Sequence, residues 1–111
     1  MALKTPSPLY QNIYTLVRQV PPGYVATYGQ LGQMLGCSAR TVGFAMASIP
    51  PGSDVPWQRI INSQGKVSPR RDGEGNLLQY DLLVAEGLNF DSSQRLDLQR
   101  YRWRFCGQES C

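Results

Sequence analysis

Histidine is missing from this chain of 111 residues, and cysteine occurs only three times. Without imidazole the sequence has neither the commonest metal ligand nor the side chain best suited to proton transfer near neutral pH. Cys37, Cys106 and Cys111 are odd in number and form no Cys-x-x-Cys pair, so neither a disulfide framework nor a zinc site is indicated. Zinc binding and His-dependent catalysis are excluded together, and no metal or cofactor is called for. No apolar run approaches the roughly 20 residues of a membrane span, and the N-terminus has no basic-then-apolar leader pattern. A cytoplasmic protein with no membrane partner is expected. Charged residues make up 17% of the chain and apolar residues 41%, a balance too hydrophobic for a disordered segment.

A chain of this length buries about two-thirds of its unfolded surface, so residues 1–111 are expected to form a single domain with one core. Its net charge of +3 and its pI near 8.9 favour an anionic partner, though a solvated basic surface accounts for them equally well. Placement of particular arginines has to decide.

Leu9, Ile13, Leu16, Val17 and Val20 recur at intervals of three and four, giving one apolar helical stripe that Pro21-Pro22-Gly23 stops. After a short extended piece, Thr27-Tyr28-Gly29-Gln30 reads as a capping box opening a short helix that Gly36 ends. Ser38 then caps a second helix, Ala39 to about Ser48, with Val42 and Met46 turned to the core. Helix, glycine turn, helix is the helix-turn-helix pattern. The small residues Ala39, Gly43, Ala45 and Ala47 on the second helix have two explanations, tight packing on a neighbour or a bare face that fits a narrow groove. Ser38, Ala39 and Thr41 would then aim the positive end of the helix at phosphates. Arg40 in the first turn opposes the helix dipole and points to an outside anion or base stack.

Ile49 to Val55 is a loop leading into Pro56-Trp57-Gln58-Arg59-Ile60, followed by an extended or turn-like path, a turn at Asn62-Ser63-Gln64-Gly65 and a small wing. Pro69 to Asn76 reads as a polar surface loop, and Leu77 to Glu86 as an apolar helix closed by Gly87. In that helix Leu78, Leu82 and Ala85 share one side, with Leu77, Tyr80, Leu83 and Val84 nearby. The remainder alternates weakly at Leu96 and Leu98 and ends in the aromatic-basic run Arg100 to Phe105, either an interaction surface or a core-packed tail.

Pro56-Trp57-Gln58-Arg59-Ile60 resembles the Pro-Cys-His-Arg-Val signature of O6-alkylguanine-DNA alkyltransferases, with Trp57 at the position of the reactive Cys and Gln58 at that of the His. Preceded by Arg40-Thr41-Val42-Gly43-Phe44-Ala45-Met46 and followed by the Leu-rich helix ending in Glu86-Gly87, the chain is similar from Pro8 to Phe90 to the alkyltransferase-like proteins. The resemblance implies a mainly α fold with a small wing, a winged helix-turn-helix-like domain similar to the alkyltransferase C-terminal domain, with a core at about 8–90 and an extension at 91–111.

It also implies roles. Tyr28 would push a phosphate to help rotate a nucleotide out of the duplex, and Arg40 would fill the vacated stack, offsetting part of the few kcal/mol that extrusion costs. Tyr28 is otherwise a core or cap-adjacent aromatic. DNA contact would fall to Tyr28, Ser38, Ala39, Arg40, Thr41 and Gly43, and an alkylguanine pocket to Tyr28, Trp57, Ile60 and Arg70. Pro56, Gln58, Arg59 and Glu86 would support that pocket, with Glu86 surviving as a strut to Gln58 and Arg59 ordering the loop or meeting phosphate. Trp57 is either a pocket wall or a buried core indole, and Arg70 competes with Arg71 for the base. A thiolate needs an adjacent base and an orienting carboxylate, and here nucleophile and base are both replaced. The expected protein is a non-enzymatic monomer that flips O6-alkylguanine from double-stranded DNA and hands the lesion to nucleotide excision repair proteins, nucleoid-associated when bound. The alternatives are a helix-turn-helix transcription regulator or generic DNA-binding protein, and a residual alkyltransferase using another Cys.

Overall fold

The computed structural model describes residues 8–50, 52–67 and 74–105. Helix α1 spans Pro8–Arg18, strand β1 Ala26–Thr27, α2 Tyr28–Leu35, α3 Ala39–Ala47, strand β2 Ile60–Ile61, α4 Glu74–Ala85 and α5 Leu98–Tyr101. The stripe read on α1 is the one buried: Ile13, Val17 and Val20 are fully enclosed, with Leu9 and Leu16 packed at the edge of the same cluster. Val42, Ala45 and Met46 of α3 and Leu31 of α2 face them. Tyr14 closes this contact by donating its hydroxyl to the Ala45 carbonyl at 2.8 Å.

The helix-turn-helix forms as its caps dictate. The Thr27 hydroxyl accepts from Gln30 N at 3.0 Å while the Gln30 side chain accepts from Thr27 N at 3.2 Å, the reciprocal pair of a capping box. Gly36 ends α2 in the left-handed conformation at φ 73°. Ser38 opens α3 by accepting from Thr41 N at 3.1 Å. Closeness of the two helices depends on Gly32, where a Cβ would lie 2.6 Å from the Cys37 carbonyl oxygen.

The small sheet is parallel: β1 and β2 pair with Ala26 opposite Ile60 and Thr27 opposite Ile61. The turn at Asn62–Lys66 closes on itself, and its Gly65 carbonyl accepts from Leu96 N at 2.8 Å. Leu98 opens the short α5, which Asp97 caps by accepting from Gln99 N at 3.0 Å. Two expectations from the sequence need correction. First, α4 starts at Glu74 rather than Leu77, because a first turn without apolar residues leaves no periodic signal. Second, the buried side of α4 carries Gln79 and Leu83, while Leu78 is 52% exposed and Ala85 is also exposed.

The aromatic-basic tail packs onto the core. Val25 N donates to the Tyr101 carbonyl at 2.9 Å and Trp103 N to the Val25 carbonyl at 2.7 Å, so the tail lies along the segment entering β1. Tyr101 and Phe105 are buried, and the Gln30 amide donates to the Trp103 carbonyl at 2.6 Å. The described part of the extension therefore completes the core. A second apolar cluster, Val25, Ile61, Leu83, Leu88, Leu96 and Tyr101, unites it with α4, β2 and the segment entering β1.

Candidate nucleic-acid interface and base pocket

The outer side of α3 is bare. Ala39, Arg40, Phe44 and Ala47 are exposed, and a Cβ placed on Gly43 would meet no atom within 4 Å. Tight packing on a neighbour is thereby ruled out as the reason for small residues at Gly43 and Ala47. The backbone on this side is open to close approach by a ligand. Ser38 and Thr41 stand at the N-terminal end of α3 with their hydroxyl oxygens 3.0 Å apart, where the unpaired amides and the helix dipole favour anions. Arg40 is exposed in the same turn, its guanidinium carbon 5.5 Å from the centroid of the Phe44 ring. Phe44 was not singled out by the sequence, since an apolar residue in an apolar helix carries no sign that it faces outward.

Tyr28 is the first residue of α2, immediately after β1. It is half-buried, leaning against the first core cluster, and is both a cap-adjacent aromatic and accessible at its edge.

The segment Trp57–Arg59 forms a single 3-10 turn that runs straight into β2. Pro56 precedes it, its carbonyl accepting from Arg59 N at 3.0 Å, and Trp57 N donates to the Val55 carbonyl at 2.8 Å. Trp57 is half-buried against the first core cluster, neither an enclosed core indole nor a free one, so one part of the ring system is seated and another is presented. Ile60 is fully buried and paired with Ala26. That corrects its assignment as pocket lining: it backs the Trp57 turn from within the core.

Glu86 holds this turn in place. Gln58 Nε2 donates to Glu86 Oε2 at 2.8 Å, and Arg59 grips both carboxylate oxygens, Nε to Oε1 and Nη2 to Oε2, each at 3.0 Å. The remaining Arg59 nitrogen, Nη1, donates to the Val20 carbonyl at 2.9 Å, so one guanidinium ties α1, the turn and the end of α4 together. Both partners of the ion pair are only 15% exposed, which favours a paired over an isolated charge. Gln58 and Arg59 thus brace the turn that carries Trp57. Arg59 orders the loop and has little left to offer a phosphate.

Gln79 completes the support and was missed. It is 3% exposed, and its amide nitrogen donates to the carbonyls of Gln58 at 3.0 Å and Ile60 at 2.8 Å. A polar residue on the same side as Leu83 was the available signal. Outside the turn, Arg18 of α1 donates to Asp54 Oδ1 from Nε at 3.1 Å and from Nη2 at 3.0 Å, fastening the loop that leads into Pro56.

Arg70 and Arg71, and the cysteines Cys106 and Cys111, lie outside the described residues. Cys37 sits in the turn between α2 and α3, half-buried and packed on the first cluster. Among the described residues no group of three or more His, Cys, Asp or Glu is gathered to hold a metal, and no helix is long and apolar enough to cross a membrane.

A helix-turn-helix with an uncluttered second helix, joined to a carboxylate-braced turn bearing Trp57, defines a DNA-binding domain of the alkyltransferase type. Residues 8–88 match the family described as the DNA-binding domain of 6-O-methylguanine DNA methyltransferase. The chain is 38% identical over 97 residues to the DNA base-flipping protein of Escherichia coli K12, covering 86% of this chain and 74% of that one. It is 37% identical over 101 residues to alkyltransferase-like protein 1 of Schizosaccharomyces pombe, covering 86% and 94%. The fold matches that of S. pombe Atl1 in complex with damaged DNA containing O6-carboxymethylguanine at a TM-score of 0.81 and 36% identity, over 91% of this chain and 99% of that one. Mycobacterium tuberculosis OGT in complex with DNA matches at 0.63 and 26% identity, over 74% of this chain and 50% of that one. The chain belongs to this family of methyltransferase DNA-binding domains and, within it, to the alkyltransferase-like proteins.

Proposed function

We propose that this protein senses O6-alkylguanine in double-stranded DNA by flipping the base and holding it, without transferring the alkyl group. The observation that carries the reading is Trp57, standing at the position of the reactive Cys in a turn fixed by Glu86, Gln58 and Arg59. An indole offers an apolar face to a base and an alkyl group and has no thiolate with which to attack either. Glu86, whose counterpart in an enzyme would orient a base, is engaged by an amide and a guanidinium instead.

In this reading the bare side of α3 enters the minor groove, with the helix N-terminus at Ser38, Ala39 and Thr41 against phosphates. Tyr28 presses on the backbone as the nucleotide turns, and Arg40 occupies the gap, its flat guanidinium stacking and hydrogen-bonding where the base has left. Trp57 walls the pocket, and Arg70, or its neighbour Arg71, supplies a cation over the flipped base, a contact of about 0.5–2 kcal/mol. Because the lesion is held and not removed, a second activity must finish the repair. Nucleotide excision repair proteins fit that role, with the sensor monomeric, cytoplasmic and associated with the nucleoid when bound.

Titration of two duplexes at physiological salt, identical but for one O6-methylguanine, tests the reading. Tighter binding of the modified duplex, lost in Arg40→Ala, is the expected result, together with an unchanged protein mass after incubation. Equal affinities would leave a generic DNA-binding domain. An added methyl group on the protein would mean a residual transferase. A transcription regulator reading intact sequence in the major groove would need polar base-reading side chains on α3. Apart from Arg40, its outer side carries Ala39, Gly43, Phe44 and Ala47 instead.

A further inference from the structure

We propose that Phe44 is a positioning residue for Arg40, holding its guanidinium on the groove-facing side of α3 before DNA arrives. This rests on the lesion-sensing reading above. Arg40 and Phe44 are one helical turn apart, and the guanidinium carbon lies 5.5 Å from the ring centroid, within cation–π reach. The ring is 53% exposed and belongs to neither core cluster, so it is not kept for packing.

Three physical points make the contact purposeful. Long side chains on a helix lean back toward its N-terminus, which brings the Phe44 ring over the turn that carries Arg40. The first turn of α3 contains no acidic residue, and its amides repel a cation, so the electron-rich face of Phe44 is the partner that keeps Arg40 against the helix. An arginine swinging freely in solvent has to surrender its rotamer freedom when it enters the duplex, and one already laid along the contact surface surrenders less. Ala39, Gly43 and Ala47 beside the pair are too small to obstruct it.

The test is a set of variants of the whole chain, Phe44→Ala, Phe44→Leu and Phe44→Tyr, each alone and with Arg40→Ala, titrated on the duplexes with and without O6-methylguanine. Melting temperatures are measured alongside and are expected to stay within a degree or two of the parent, since the ring is outside the core. Phe44→Ala should weaken binding of the modified duplex about two- to five-fold, the change that an exposed cation–π contact of about 0.5–1 kcal/mol makes. Phe44→Tyr should retain parental affinity, Phe44→Leu should resemble Phe44→Ala, and none should have an effect once Arg40 is Ala. Full affinity in Phe44→Ala, or in Phe44→Leu, overturns the inference while leaving lesion sensing intact. An equal loss with and without Arg40 overturns it too, because the ring would then contact DNA on its own account. Equal affinity of the parent protein for both duplexes removes the sensing reading, and this inference with it.

Discussion

Gly43 should be a position where stability and binding move in opposite directions. It lies in the interior of α3, its backbone is not among those with positive φ, and a Cβ there would meet nothing within 4 Å. Alanine in place of glycine in a helix interior gains about 0.8–1 kcal/mol, chiefly by restricting the unfolded chain. For a domain of this size that corresponds to a melting temperature higher by about 4 °C or more. The free protein therefore has no structural reason for glycine here. If α3 approaches the groove floor as proposed, the added atoms have to stand where DNA does, and overpacking of a close contact costs about 1–3 kcal/mol. Gly43→Leu should accordingly fold normally and bind the modified duplex about five- to one-hundred-fold more weakly, with Gly43→Ala between it and the parent.

Circular dichroism melts and fluorescence anisotropy with a labelled O6-methylguanine duplex give the two readouts. A stable Gly43→Leu protein with undiminished affinity refutes the placement of α3 in the groove. A destabilised Gly43→Ala protein refutes the open surface itself.

Further perturbations follow from the same contacts. Gly32→Ala should cost about 1–3 kcal/mol, because its Cβ would meet backbone rather than a side chain that can move, 2.6 Å from the Cys37 carbonyl oxygen; an unchanged denaturant midpoint would contradict this. Glu86→Ala should cost about 3 kcal/mol by leaving the part-buried Arg59 unpaired, and should alter Trp57 fluorescence as the turn loosens; unaltered emission and midpoint would mean that the strut is dispensable. Burial, assisted by the neighbouring Tyr10, pushes the Tyr14 phenol above its ordinary value of 10.0. The unfolded chain then loses this proton first, so the contribution of Tyr14 is fully present below about pH 10 and is lost as pH rises through the higher folded value. Tyr14→Phe should be less stable by about 0.5–1.5 kcal/mol at neutral pH and show a shallower alkaline decline, measured by urea unfolding at several pH values.

The helix-turn-helix was legible because its determinants are local. Thr27 with Gln30, Gly36, and Ser38 with Thr41 act within four residues of one another, and all formed as read. The strut from Glu86 to Gln58 was legible for a different reason, the resemblance of the motif, since 28 residues separate the two. What escaped was non-local. The apolar pattern of α4 runs around the whole helix, so periodicity had no means of choosing the side with Gln79 and Leu83. Pairing of β1 with β2 involves two residues from each strand, too few for an alternation to be seen. Docking of the tail through Val25 is a matter of backbone hydrogen bonds, to which side-chain identity is nearly blind.

In the proposed function two parts of the structure divide the work of recognition, and their mechanical characters differ accordingly. The Trp57 turn is fixed from three directions: Glu86 through both Gln58 and Arg59, Val20 through Arg59, and Gln79 through the carbonyls of Gln58 and Ile60. A pocket that must distinguish an alkyl group by shape gains from such rigidity, because a wall free to yield would accept any base at similar cost. On the exposed side of α3, by contrast, Arg40 is held by a single ring contact of small energy. The side chain that enters the duplex is thus steadied toward the groove by a weak contact, and the one that has to stay still is held strongly. An alkyltransferase would need the same rigidity to aim a thiolate. Here the same bracing keeps an unreactive indole in place.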